Sequence, residues 1–197
     1  PACPPPADAA VNEASLEAFV AELRPALTYR AYLNTTARGW SFTQDVATVG
    51  TGFHAGIALD DAGGLLPPGS APDGDAVLYL NRGQASTPFE VPASGVYRLS
   101  FHAAGRIGYL NRHVTVSVDG MPVRTLATLS TSFYQHAVTL PSLSAGTHVL
   151  GFRGEGPDNN GASFLDAIRV TAFRLCPAAP VLATVTNASF EEPVEHF

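Results

Sequence analysis

Residues 96–129 read VYRLSFHAAGRIGYLNRHVTVSVDGMPVRTLATL, and the way this stretch alternates decides the fold class. In an extended chain, successive side chains point to opposite faces of a sheet. Tyr97, Leu99 and Phe101 then share an apolar face, while Arg98, Ser100 and His102 share a wet one. Val114, Val116 and Val118 repeat the inward pattern, and Asp119-Gly120 separates them from a further strand over 123–129. Asp-Gly between alternating segments is a hairpin signal, because both residues accept the positive φ of a tight turn. The stretch therefore predicts antiparallel strands with one buried face.

Working outward, the same punctuation recurs. On the N-terminal side, 39–43 reads as a strand that carries the only tryptophan, Trp40, expected in the core. Residues 49–76 are rich in Gly, Pro and Asp and read as a long loop, functional or mobile, that ends in the turn Pro72-Asp73-Gly74-Asp75 before a strand over 76–81. Strands over 89–91, 133–140, 147–152 and 163–173 bring the expectation to about ten. Residues 12–24 stay open between an entering strand and a short N-terminal helix capped by Asn12 or Ser15 and stopped near Pro25. No regular alternation of strand and helix points to a parallel sheet. The expected fold is all-β, an antiparallel β-sandwich of the jelly-roll type.

Composition agrees. With 197 residues, 46% hydrophobic and 14% charged, the chain supports one good core, and its 18 Gly and 16 Pro favour short strands and tight turns. The net charge of −6 comes without any basic run, which argues against nucleic acid as a partner. No apolar segment is long enough to span a membrane.

One carboxylate stands out. Extended geometry over 163–171 places Asp166 with Phe164, Ile168 and Val170 on an apolar face. A buried carboxylate needs a metal ion, an arginine or several backbone donors. The preceding loop, with Asp158, Asn159 and Asn160, offers oxygen ligands of the kind calcium takes. The alternative is an Asp that pins a turn through hydrogen bonds alone.

The two ends resemble one another. Cys3-Pro4 and Cys176-Pro177 each open a Pro/Ala-rich spacer, and Val11, Ala14, Ser15, Leu16 and Glu17 match Val185, Ala188, Ser189, Phe190 and Glu191. Self-similarity at a domain-sized interval indicates tandem modules. The expected organisation is a linker over 1–10, a module over 11–175, a linker over 176–184 and the first strand of a following repeat over 185–197. Cys3 and Cys176 are candidates for one disulfide, which would suit an oxidising compartment.

The ordered segments NEASLE and NASFEEP, RGWSFT, APDGDAVLYLN, SGVYRLSFHAAGR, VTVSVDG, SAGTHVLGFRG and DNNGASFLDAIRV resemble bacterial extracellular jelly-roll modules of the galactose-binding-like or carbohydrate-binding kind. The resemblance covers nearly all of 11–172. It implies a structural calcium ion held in part by Glu17 and Asp166, with Leu16 in place of the usual Phe and Glu13 in place of the usual Asn or Gly. It also implies a secreted or cell-surface setting.

The chain carries no G-x-S-x-G elbow, H-E-x-x-H pair, phosphate-binding loop or C-x-x-C pair, so a non-catalytic role is expected. Two functions remain. One is polysaccharide or glycan binding, for which Arg106, Tyr109, Asn111 and Arg112 in the 105–112 loop, with Phe133, Tyr134 and Gln135, are the candidates. The other is a structural or adhesin repeat, a spacer or fibre that meets neighbouring repeats of its own or other chains, including by strand addition.

Overall fold

A computed structural model describes residues 10–11, 14–17, 19–23, 29–32, 35–44, 54–60, 65–67, 69–109, 112–155 and 161–173. Cys3, Cys176, Asn111, Asp158 and the repeat over 185–197 lie outside the described residues.

Two antiparallel sheets face each other. The first contains β1 (Ala10–Val11), β3 (Thr35–Ala37), β4 (Trp40–Thr43), β7 (Gln84–Val91), β9 (Arg112–Val118), β10 (Met121–Thr128) and β12 (Gly146–Glu155). Its order is β10-β9-β12-β7-β4-β3, and β1 also pairs with β7. The second contains β2 (Tyr29–Tyr32), β5 (His54–Leu59), β6 (Ala76–Asn81), β8 (Gly95–Gly105), β11 (Tyr134–Leu143) and β13 (Ser163–Ala172). Its order is β11-β8-β13-β6-β5-β2. The described residues form thirteen strands, some as short as two residues, against the expectation of about ten.

The hairpin at Asp119-Gly120 is present: Met121 lies opposite Val118, and φ is 51° and 78° at the two turn residues. Tyr97, Leu99 and Phe101 from β8 and Val114, Val116 and Val118 from β9 all enter the core between the sheets, as does Trp40. Burying each such side chain contributes about 1.5–3 kcal/mol.

The N-terminal ambiguity resolves differently from the entering-strand reading. Among the described residues of this segment only Ala10–Val11 is extended, pairing with Glu90 and Phe89, and two single helical turns follow, α1 (Ala14–Glu17) and α2 (Val20–Leu23). Leu16, Phe19 and Leu23 all enter the core, a spacing that one face of a helix provides and a strand does not.

The expected 49–76 loop is also corrected. It contains β5, and its later residues form a flap over the outer face of the second sheet. Leu65, Leu66 and Ala71 pack there on Val77, Tyr79, Ala104 and Phe164 as a second apolar cluster. This explains why all six residues of β6 are buried, since both of its faces are covered. The flap reaches only part of the sheet. Among the described residues, the outer face of β8, β11 and the end of β13 is left uncovered and polar.

Candidate functional site

The open face arises from a break in the period of β13. Register shifts between Asp166 and Arg169, and Ala167 sits at φ 50°. This β-bulge inserts one unpaired residue. Before it, Leu165 faces the core while Phe164 and Asp166 face outward; after it, Ile168 and Val170 face the core and Arg169 and Thr171 face outward. The expectation that Phe164, Asp166, Ile168 and Val170 share one face is therefore wrong, because strict alternation assumed an unbroken strand.

Cross-strand pairing then fixes a grid of nine outward residues. Asp166, His102 and Gln135 form one row; Arg169, Ser100 and Ala137 the next; Thr171, Arg98 and Thr139 the third. The middle row has short side chains at Ser100 and Ala137, and longer ones rise on either side. The result is a cavity of about 480 Å³ lined by Arg98, Ser100, Gln135, His136, Ala137 and Thr171. That volume suits one or two small-molecule rings. His136 stands on the edge strand with its ring stacked on Phe101 at 5.6 Å. Burial, with the nearby His102, lowers its pKa and favours the neutral ring at neutral pH.

Beside this face lies the loop that the sequence singled out. The Arg106 guanidinium sits 5.0 Å from the Tyr109 ring centre. Backbone bonds tie the loop to three neighbours: Gly105 N–H donates to Ser130 at 2.6 Å, Arg106 N–H to Ala162 at 3.0 Å and Ile107 N–H to Leu65 at 3.3 Å. Ile107, Leu129 and Tyr134 are the exposed apolar groups at this end. Arg106, Tyr109 and Tyr134 thus lie at one end of the sandwich. Arg112 does not join them at the surface. It is 2% exposed, and its guanidinium fills the space that a Cβ at Gly161 would need. Burial lowers its pKa.

Glu17 and Asp166 do converge, on the 72–76 turn. Glu17 accepts from Asp75 N–H at 3.0 Å and Ala76 N–H at 3.0 Å; Asp166 accepts from Asp73 N–H at 2.8 Å and Ala167 N–H at 2.7 Å. Burial first, then the charges of Asp73 and Glu17, push the Asp166 carboxyl up to about 6 against its backbone donors. Gly74, at φ 76°, leaves room for the Glu17 carboxylate where a Cβ would overlap it. For calcium, the test is whether these oxygens gather around one point with enough others. Among the described residues no group of three His, Cys, Asp or Glu does so, and the two carboxylates spend themselves on backbone N–H groups. The described geometry is a hydrogen-bonded clamp.

A third cluster was invisible in sequence. His148 Nδ1 lies 2.7 Å from Asp119 Oδ2, and its Nε2 lies 3.0 Å from the Ser144 carbonyl oxygen and 3.4 Å from Ser144 Oγ. The order carboxylate, imidazole, hydroxyl matches a nucleophile relay. Yet Nε2 lies nearer the Ser144 carbonyl oxygen than the Ser144 hydroxyl, so the ring is aimed at backbone rather than at a nucleophile, and Asp119 and then Ser144 raise its pKa. This cluster fastens a turn.

No family model and no curated protein matches the chain. Solved structures do. An apo cyclase from Fischerella sp. is 17% identical, with a TM-score of 0.55 covering 85% of this chain and 96% of that one. The K1 cleaved adhesin domain of Lys-gingipain from Porphyromonas gingivalis is 14% identical, with a TM-score of 0.51 covering 74% and 98%. The fold they share with this chain is a jelly-roll β-sandwich. TmCBM61 in complex with β-1,4-galactotriose is 17% identical, with a TM-score of 0.49 covering 73% and 99%. A jelly roll that matches both an adhesin domain and a cyclase shares its fold with more than one activity, so function must be argued from the site.

Proposed function

We propose that this jelly roll is a non-catalytic, extracellular carbohydrate-binding module. The observation that carries the reading is the cavity on the open sheet face, where Arg98, Ser100, Gln135 and Thr171 converge. Sugars are held by planar and hydroxyl groups that satisfy neighbouring hydroxyls, with aromatic rings against their C–H faces. The cavity lining includes no carboxylate, so it lacks the acid pair that glycoside hydrolysis uses.

The test is retention on a panel of immobilised polysaccharides, comparing the protein with Ala137→Trp, which fills the cavity, and with Arg106→Ala/Tyr109→Ala. Retention that Ala137→Trp abolishes supports the cavity. Retention lost only in the double variant moves the site to the loop, and retention of nothing rejects the reading.

Calcium enters this proposal only as the structural ion that the resemblance implies, held in part by Glu17 and Asp166 beside the backbone N–H groups they already accept, where it would relieve the charge they and Asp73 place around one turn. Addition of calcium is expected to raise Tm and EDTA to lower it; an unchanged melt would remove the ion.

The second reading, a tandem structural repeat, is favoured by one observation. Val185, Ala188, Ser189, Phe190 and Glu191 repeat the residues that here supply the β1 pairing, a core side chain and the turn clamp. If 185–191 opens another module, a peptide of residues 184–197 should restore stability to a chain that lacks residues 1–17. Failure to do so counts against equivalence of the two ends.

A further inference from the structure

The grid on the open face holds two arginines in a chain whose net charge is −6, and they differ in what they already bind. Arg169 donates from Nη2 to Asp73 Oδ2 at 3.4 Å. Arg98 lines the cavity, is exposed, and has no carboxylate within ion-pair distance among the described residues. Its backbone carbonyl accepts the Thr171 hydroxyl at 3.5 Å, and among the described residues no ion pair engages the guanidinium. No Asp or Glu lines the cavity, and His136 adds no negative charge.

A guanidinium presents a rigid planar fork whose paired N–H groups match the two oxygens of a carboxylate. Ser100, Gln135 and Thr171 stand around it with one amide and two hydroxyls, the groups that answer the ring hydroxyls of a sugar. A neutral sugar would use the second set and leave the fork to water. A sugar bearing a carboxylate would use both. We propose that the cavity takes a uronic acid unit of an acidic polysaccharide, with Arg98 on the carboxylate. This rests on the glycan-binding reading above and narrows its ligand class.

The experiment measures affinity for polygalacturonate, for the same polymer fully methyl-esterified, for a neutral galactan and for a sulfated galactan. The proteins are the full chain, Arg98→Ala, Arg98→Gln, Ala137→Trp and, as a control on the opposite sheet, the exposed Arg124→Ala. Thermal melts confirm that each variant is folded, and Arg98→Gln keeps most of the side-chain volume should Arg98→Ala pack poorly. A charge-assisted bidentate pair predicts that esterification and Arg98→Ala each weaken polygalacturonate binding about tenfold or more, while Arg124→Ala changes nothing.

Equal binding of acid and ester, or an unchanged Arg98→Ala, overturns the proposal. So does an equal loss in Arg124→Ala, which would mark diffuse charge attraction, and so does a sulfated galactan bound as tightly as polygalacturonate. Binding of the neutral galactan alone, abolished by Ala137→Trp, overturns the acidic class yet leaves glycan binding standing. Binding of no polymer overturns both.

Discussion

The 72–76 clamp and the open cavity are both polar sites on one sheet, yet they are chemically opposite. In the clamp, Glu17 and Asp166 each accept two backbone N–H groups, and Gly74 is shaped around the carboxylate. In the cavity, Arg98 and Gln135 face a space with no protein group of opposite charge lining it. Spent hydrogen-bonding capacity holds a turn. Unspent capacity in a concave, polar setting is what a ligand can use.

This contrast can be broken at several points, and the largest effect should come from the clamp. Gly74→Ala puts a Cβ into the Glu17 carboxylate and forces a non-glycine residue to φ 76°. Strain plus loss of charge-assisted bonds should cost about 2–4 kcal/mol, read as a lower urea midpoint, with glycan affinity at saturating native protein unchanged. A normal midpoint would show that the clamp contributes nothing.

The next effect is on pH dependence. Asp166 has a folded pKa of about 6, above the unfolded 3.8, so the stability linked to its proton is full below 3.8 and lost as pH rises through 6. The raised pKa of His148 acts in the same sense above 6.5, whereas the lowered pKa of Asp119 removes stability only in strong acid. The lowered pKa of His136 acts the other way up to 6.5, so the Asp166 contribution is read as a difference: relative to Asp166→Asn, the parent's urea midpoint should fall between pH 4.5 and 7.5. A parallel fall in that variant would assign the effect elsewhere.

The smallest stability effect is expected at the cavity itself. Arg98→Ala removes an exposed side chain with no described ion-pair partner and should shift stability by less than about 0.5 kcal/mol. A loss near 2 kcal/mol would mean that Arg98 is structural, and the contrast with the clamp would disappear.

Much of the fold was legible because it rests on short-range pattern. The alternation in β8 and β9 named their buried residues, and Asp119-Gly120 named the hairpin, since φ preference and pleat act over two or three residues. Glu17 and Asp166 were legible as a pair only through the resemblance; their meeting at one turn depends on contacts 58 and 93 residues apart in sequence. Arg106 and Tyr109 were read as loop groups and Tyr134 as the start of a strand, and Tyr134 does open β11. Arg112, in the same run, is carried inward by the start of β9, an outcome that a polar residue type in a turn-rich segment does not reveal.

By itself, the sequence determined the sandwich class, the buried faces of its regular strands and the tight hairpin, because these follow from residue-by-residue geometry and burial. Only the tertiary structure decided where the sheet stays open. A single bulged residue, Ala167, turns Asp166 and Arg169 outward together, and the 65–71 flap stops short of β8 and β11. Neither event leaves a local signal, because each depends on which distant segment arrives to cover the strand.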